Sequence, residues 1–223
     1  MPYKFDFSNH NSRFAYRFMR PLAGIVTKTK YKITYIGQEN IPETGGFILA
    51  ANHITALDPV IISVGFKRTM HFMAKDELFQ NKLIGWAMAQ LNAFPVDRTK
   101  FDYDAIDYAI SVVKNGDVLG IFPEGTRSPD YTPQKGKGGV CYIAKMCKCD
   151  VVPVSIYTSD EAKTGTRLTV RYGKPIKHEE LKFDPNSNKM KDLRHATNLI
   201  MEEITKLWKL GHQIQDDCAV KQL

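Results

Sequence analysis

Three features of this 223-residue sequence predict an α/β fold: one domain with a largely parallel, mixed sheet flanked by helices, plus an N-terminal amphipathic helical arm. From Tyr31 onward, short apolar runs of strand length alternate with segments of helical period, as strand–helix–strand units on a parallel sheet require. The length suits one sizeable core. No internal repeat or low-complexity linker divides it. The expected organisation is therefore a basic helical arm over residues 1–30 and a single domain over 31–223.

Taken in order, Arg13 to Val26 has helical periodicity. Phe14, Phe18, Leu22 and Ile25/Val26 fall on one stripe, with Arg13, Arg17 and Arg20 on the other side. Pro21 is expected to kink or divide this helix. "YKITYI" alternates like a strand, and "GFILAAN" is a short buried run after Gly45-Gly46. "PVIISVGF" opens a helix and "MHFMA" reads as a strand. Helices follow around Glu77 to Leu91 and from Asp102 to Val113, where Tyr103, Ile106, Ile110 and Val113 share a face. "DVLGIF", "VVPVSIY" and "RLTVRYG" read as strands, and "VCYIA" as the start of a helix. A last helix runs from about Lys189 to Leu210, with Leu193, Thr197, Ile200, Ile204 and Leu207 inward.

Composition narrows the class. Every long apolar run is cut by charge or by Pro/Gly before about 18 residues, so no membrane-crossing helix is expected. The run Leu22 to Val26 is too short for a secretory signal. Cys141, Cys147, Cys149 and Cys218 form no disulfide framework, which suggests a reducing, cytoplasmic setting. They also lack the paired spacing of a zinc site, so no metal is expected. Of the net charge of +7, five units lie in the first thirty residues, where Lys4, Arg13, Arg17, Arg20, Lys28 and Lys30 face only Asp6. Such asymmetry points to an anionic partner. Without a helix-turn-helix, zinc-finger or aromatic RNA-binding signature, nucleic acid is the weaker choice. A basic amphipathic helix suits either the plane of an anionic bilayer, at the inner face of the cell membrane, or packing against the main domain.

"LAANHITALDPV" (Leu49 to Val60) sets His53 and Asp58 five residues apart. Five helical steps rotate by about 500°, so the two cannot share a helical face. They meet if His53 follows the strand and Asp58 opens the next helix, with Pro59 at its first position. A carboxylate folded back onto the imidazole fixes its tautomer and frees the other nitrogen as a base. The spacing alone is equally compatible with Asp58 as a plain helix cap and His53 as a loop histidine.

Three further blocks follow: "AFPVDR" (Ala93 to Arg98), "IFPEGTRS" (Ile121 to Ser128) and "VVPVSI" (Val151 to Ile156). Together with N-H-x-x-x-x-D, and in this order, they resemble the glycerolipid acyltransferase family of the 1-acyl-sn-glycerol-3-phosphate acyltransferase type. The resemblance runs from about Tyr31 to Lys177. It implies a general-base role for His53, oriented by Asp58, and direct attack of the acceptor hydroxyl on an acyl thioester. The sequence agrees in having no G-x-S-x-G nucleophile and no cysteine near His53 in the chain. Cys141 remains a candidate for approach in space.

With N-H-x-x-x-x-D counted as the first block, the third, "IFPEGTRS", reads as a phosphate site: Gly125 allows close backbone approach and Arg127 offers a bidentate fork. The resemblance assigns binding to Glu124, Gly125 and Arg127, with Thr126 and Ser128 in the same turn. Because Glu124 would repel a phosphate dianion, its expected task is to position Arg127 or a glycerol hydroxyl. Arg98, ending block two, and Lys75, in "MAKDEL", match family positions for acceptor phosphate. "GKGG" (Gly136 to Gly139) is either an anion-binding nest or a plain turn. Ile84, Trp86, Met88, Leu91 and Phe94 are candidates for an acyl-chain groove. The implied reaction makes phosphatidic acid from a lysophospholipid acceptor and a coenzyme A or acyl-carrier-protein thioester, with no bound cofactor. Glycerol-3-phosphate or another lysophospholipid is the alternative acceptor.

Overall fold

The computed structural model describes residues 2–8, 13–187 and 190–213. Cys218 and the first residue of the expected last helix, Lys189, lie outside them. Seven strands form one sheet: β1 (Lys32–Ile36), β2 (Phe47–Ala51), β3 (Met70–Lys75), β4 (Ala93–Val96), β5 (Val118–Ile121), β6 (Val151–Tyr157) and β7 (Arg167–Tyr172). Their order is β1-β7-β6-β2-β5-β3-β4, and every neighbouring pair is parallel except β6 with β7. The predicted α/β class and largely parallel, mixed sheet are observed.

Among the described residues six α-helices flank the sheet: α1 (Arg13–Lys30), α2 (Asp58–Val64), α3 (Lys82–Gln90), α4 (Tyr103–Lys114), α5 (Gly139–Cys147) and α6 (Arg194–Lys209). The central strand β2 is buried on both faces and alternates between two cores. Ile48 and Ala50 point to the side of α4, α5 and α6, while Leu49 and Ala51 point to the side of α2. Continuous apolar sequence in a central parallel strand is the expected result of this double covering.

Three local differences from the sequence reading have simple causes. β4 was not expected as a strand; it is four residues long and contains Pro95, which an edge strand tolerates because one of its sides needs no ladder partner. The helix expected from Glu77 to Leu91 is broken into a 3-10 turn, Asp76–Phe79, and α3. Asn81 restarts it, its side chain accepting from the N–H groups of Leu83 (3.0 Å) and Ile84 (3.2 Å). Pro21 does not divide α1, which runs unbroken through it. The ring lies on the exposed side, where the freed carbonyl of Arg17 has water available.

The arm is seated on the domain. In α1, Tyr16, Gly24 and Thr27 face inward, and the Gly24 backbone comes so close to α2 that a Cβ there would lie 3.0 Å from Val64 Cγ2. Arg20 Nη1 donates to the carbonyl of Phe66 at 2.8 Å. The outer stripe is different: Phe18, Leu22, Ile25 and Val26 are each more than half exposed. Ahead of α1, Phe5 and Phe7 pack edge-on against Tyr108, and the N–H of Tyr3 donates to Phe79.

Candidate active site

The carboxyl ends of β2, β3, β4 and β5 converge on one cavity of about 460 Å³. Open parallel sheets place ligands at these strand ends because the loops there are free to diverge. His53, two residues beyond β2, lies on its wall, and so do Lys75 (end of β3), Arg98 (after β4), and Phe122 and Arg127 (after β5). Four loops distant in sequence therefore supply one site.

The turn from β2 into α2 is built around the Asp58 carboxylate, which is fully buried. Its Oδ2 lies 2.8 Å from His53 Nδ1 and accepts from the N–H groups of Ile54 (2.6 Å) and Thr55 (2.8 Å). Its Oδ1 accepts from Thr55 Oγ1 at 2.7 Å, and that hydroxyl oxygen receives the N–H of Leu57 at 3.1 Å. Asp58 is thus the hub of the turn as well as the first residue of its helix, with Pro59 in the first turn. Because a carboxylate offers only acceptors here, the contact requires a proton on Nδ1, and in the neutral tautomer that fits it Nε2 keeps its lone pair.

Neighbouring elements hold the imidazole from behind. Its ring stacks on Phe122 at 4.1 Å between centroids and 21° between planes, and Phe122 stacks in turn on Phe72. The Ser128 N–H donates to the His53 carbonyl at 2.7 Å, tying the third block to the first. Asn52 bridges β2 to β6: its Oδ1 accepts from the Ile156 N–H (2.7 Å) and its Nδ2 donates to the Ile156 carbonyl (2.9 Å). Phe122, Thr55 and Asn52 were not singled out in the sequence. All three lie inside the quoted motifs, and their roles depend on contacts that spacing does not encode.

The predicted binding residues divide into two groups. Arg98, Arg127 and Lys75 all line the cavity, with Arg127 and Arg98 exposed at its mouth. Arg98 Nη1 donates to the carbonyl of Gly125, and Lys75 pairs with Glu77 at the rim. Gly125 has φ +73°, and Lys137 passes so close that a Cβ would lie 3.0 Å from Nζ. A side chain at that position would be strained in the backbone and crowded by the lysine. Thr126 is exposed in the same turn and is not among the residues lining the cavity.

Of the two tasks expected of Glu124, positioning Arg127 or a glycerol hydroxyl, its hydrogen bonds in the structure serve neither and run instead to the backbone around His53. It is buried; Oε1 accepts the His53 N–H at 3.3 Å, and the Gln134 backbone N–H also donates to the carboxylate. Among the described residues Oε2 has no hydrogen-bond partner. Burial, more than any charge, pushes its titration from the ordinary 4.5 up to about 7. A carboxyl raised in the folded state favours folding fully below pH 4.5, and that contribution is lost as pH rises through about 7. Stability is expected to fall by about 3 kcal/mol from this group as pH goes from 4.5 to beyond 7. Glu124→Gln should flatten that limb in urea melts at pH 5 and pH 8; an unchanged pH slope would contradict the assignment.

Other candidates do not enter the site. Cys141 lies in the core cluster shared by α4, α5 and α6, in contact with Thr197 Oγ1 at 3.3 Å, and burial pushes its thiol up to about 11. A buried, protonated thiol away from the cavity is no acyl acceptor. The Gly136–Gly139 run is not a nest, since none of its residues has a left-handed φ; it is the connection that starts α5. Of the acyl-groove candidates, Met88 and Leu91 line the cavity, with Leu57, Val60, Met73 and Leu78 beside them. Phe94 is core, and Ile84 and Trp86 are about half exposed, outside the cavity wall. The lip of the cavity includes Tyr16, Ala23 and Val26 of α1.

The site thus sets a buried carboxylate against one nitrogen of a histidine, beside three cations and an apolar wall. The Acyltransferase family profile matches residues 32–157. The 1-acyl-sn-glycerol-3-phosphate acyltransferase of Bacillus subtilis (strain 168) is 30% identical over 193 residues, spanning 85% of this chain and 96% of that one. The enzyme of the same name from Streptococcus pneumoniae (strain R6) is 34% identical over 218 residues, spanning 92% of this chain and 77% of that one. A crystal structure of the 1-acyl-sn-glycerophosphate acyltransferase PlsC from Thermotoga maritima has the same fold, with a TM-score of 0.69 at 24% identity over 92% of this chain and 83% of that one. This chain belongs to the acyltransferase family.

Proposed function

We propose that this protein moves a fatty acyl group from a thioester to the sn-2 hydroxyl of 1-acyl-sn-glycerol-3-phosphate, giving phosphatidic acid. The observation that carries this reading is the His53 Nδ1 to Asp58 hydrogen bond at 2.8 Å, set inside a cavity whose mouth bears Arg98, Arg127 and Lys75. The names of the two bacterial relatives supply the acceptor. The apolar wall formed by Leu57, Val60, Met73, Met88 and Leu91 suits an acceptor that already carries an acyl chain, ahead of glycerol-3-phosphate.

In this mechanism His53 Nε2 takes the hydroxyl proton as the acceptor oxygen bonds to the thioester carbonyl carbon. The carbonyl electron pair moves onto its oxygen, then returns as the carbon–sulfur bond breaks. The departing thiolate takes the proton from the imidazolium, so proton and acyl group have exchanged places. Asp58 holds the ring and balances the transient imidazolium charge. Arg127 and Arg98 bind the acceptor phosphate, with Lys75 adding charge. Proton transfer and charge stabilisation by these side chains require no metal or bound cofactor. Arg127→Ala or Arg98→Ala should raise the acceptor KM tenfold or more with kcat held within a few-fold, because a charged hydrogen bond contributes about 1.5–3 kcal/mol. An acceptor KM unchanged in steady-state assays would place the phosphate elsewhere.

The acceptor resides in bilayers, and among the described residues no helix is long and apolar enough to cross one. Peripheral attachment at the inner, anionic face of the cell membrane fits α1, whose outer stripe of Phe18, Leu22, Ile25 and Val26 is exposed beside Arg17 and Lys28. The same helix forms the cavity lip, so a docked helix opens the site toward lipid. Phe18→Glu with Ile25→Glu should abolish cosedimentation with anionic vesicles while leaving the melting temperature unchanged. Equal cosedimentation of the variant and the parent would defeat the membrane reading.

A further inference from the structure

Behind the loop that carries Glu124 and Arg127 lies a second depression, an open trough of about 960 Å³ between residues 133–138 and the outer face of α6. Its charged lining is Lys135, Arg194, Lys206 and Lys209 against the single carboxylate of Glu202. Lys206 also pairs with Glu203 at 2.6 Å, whereas Lys135, Arg194 and Lys209 have no carboxylate partner among the described residues. The cations are all exposed, and those of α6 span its sixteen residues, about 22 Å from first to last.

From this arrangement we infer that the trough docks an acidic protein surface, that of a small carrier protein delivering the acyl thioester. The inference rests on the acyltransferase reading and identifies its donor. A nucleotide pocket gathers a few convergent, buried polar groups around one phosphate cluster. Here, exposed cations are strung along a helix, the pattern that steers and registers a complementary protein face. The trough wall is also continuous with the reactive loop. The Gln134 N–H donates to the Glu124 carboxylate, which accepts the His53 N–H, and the Lys137 N–H donates to the Pro123 carbonyl at 2.8 Å. A carrier seated on α6 would thus contact the loop that is bonded to the His53 turn, and its thioester, on a flexible arm, would reach the cavity past this loop.

The test compares full-length parent with the triple variant Lys135→Glu, Arg194→Glu, Lys209→Glu, all surface positions away from the reacting groups. Two donors with the same acyl chain are assayed: an acylated acyl carrier protein and the corresponding coenzyme A thioester. Binding of holo acyl carrier protein is measured separately by calorimetry. The expected result is a loss of at least tenfold in kcat/KM with the carrier-protein donor and a matching loss of binding. The coenzyme A reaction and the acceptor KM should stay within twofold. Equal losses with both donors would overturn the proposal in favour of nucleotide phosphates in the trough. Unchanged carrier-protein turnover or binding would overturn it too, as would parent activity with the coenzyme A thioester alone. Failure of the parent with both donors would instead remove the acyltransferase reading, and the binding measurement would still decide the trough.

Discussion

His53→Ala is expected to lower kcat for acyl transfer by about a hundred- to ten-thousand-fold, the contribution of a positioned general base. The acceptor KM should change little, since the proposed mechanism gives the phosphate to Arg98 and Arg127, which line the same cavity, rather than to the ring. The fold should tolerate the change. Asp58 keeps its bonds from Ile54 N–H, Thr55 N–H and Thr55 Oγ1, so the turn remains closed. What is lost structurally is the stack on Phe122, about 1 kcal/mol for an aromatic contact of this kind. Steady-state kinetics and a thermal melt on the same preparation separate the two effects. A variant that melts normally yet retains a tenth of parental turnover would refute the base assignment.

Replacing Asp58 is expected to act on both stability and rate. In Asp58→Ala the N–H groups of Ile54 and Thr55, the Thr55 hydroxyl and His53 Nδ1 all lose their acceptor at once in a fully buried place. Each unsatisfied buried donor costs about 1–3 kcal/mol, and the combined loss should reach about 3 kcal/mol or more. Against a total stability of about 5–15 kcal/mol, that is a large share. Asp58→Asn separates packing from chemistry. Its amide oxygen takes the place of Oδ2, where the Ile54 and Thr55 N–H groups and Nδ1 need an acceptor, and its NH2 faces Thr55 Oγ1. The tautomer is kept and the charge that balances the imidazolium is lost, so the expected outcome is a milder fall in melting temperature with a loss of kcat of at least about tenfold, short of that in His53→Ala. Substantial activity in a folded Asp58→Asn protein would show that the carboxylate serves the turn alone.

How much of this was visible in the sequence depends on the range of the interaction concerned. The alternation from Tyr31 onward and the two-sided burial of β2 are properties of local pattern, so the fold class could be read directly. The meeting of His53 with Asp58 follows from one turn, and the spacing with Pro59 leaves few ways to make it. What escaped was decided by tertiary contacts. The strand β4 is short and contains Pro95, and only its place at the sheet edge permits it. The break before α3 rests on a single capping side chain, Asn81. Charge alone suggested Arg127 or a glycerol hydroxyl as the partner of Glu124; the strand-to-loop turn buries it beneath the His53 backbone, with Gln134 as its second partner. For α1 the amphipathic stripe was legible but its direction was not. Small residues such as Gly24 allow the opposite face to approach α2, leaving the larger apolar side chains outward.

The central claim is that Asp58 holds the His53 ring with its proton on Nδ1, so that Nε2 is the base. Long-range proton–nitrogen correlation spectra of the ¹⁵N-histidine-labelled parent, recorded at pH 8, read that proton directly. A His53 Nδ1 shift of the protonated type with Nε2 of the unprotonated type is the predicted result. A ring protonated on Nε2, or an averaged pair of shifts, would contradict it.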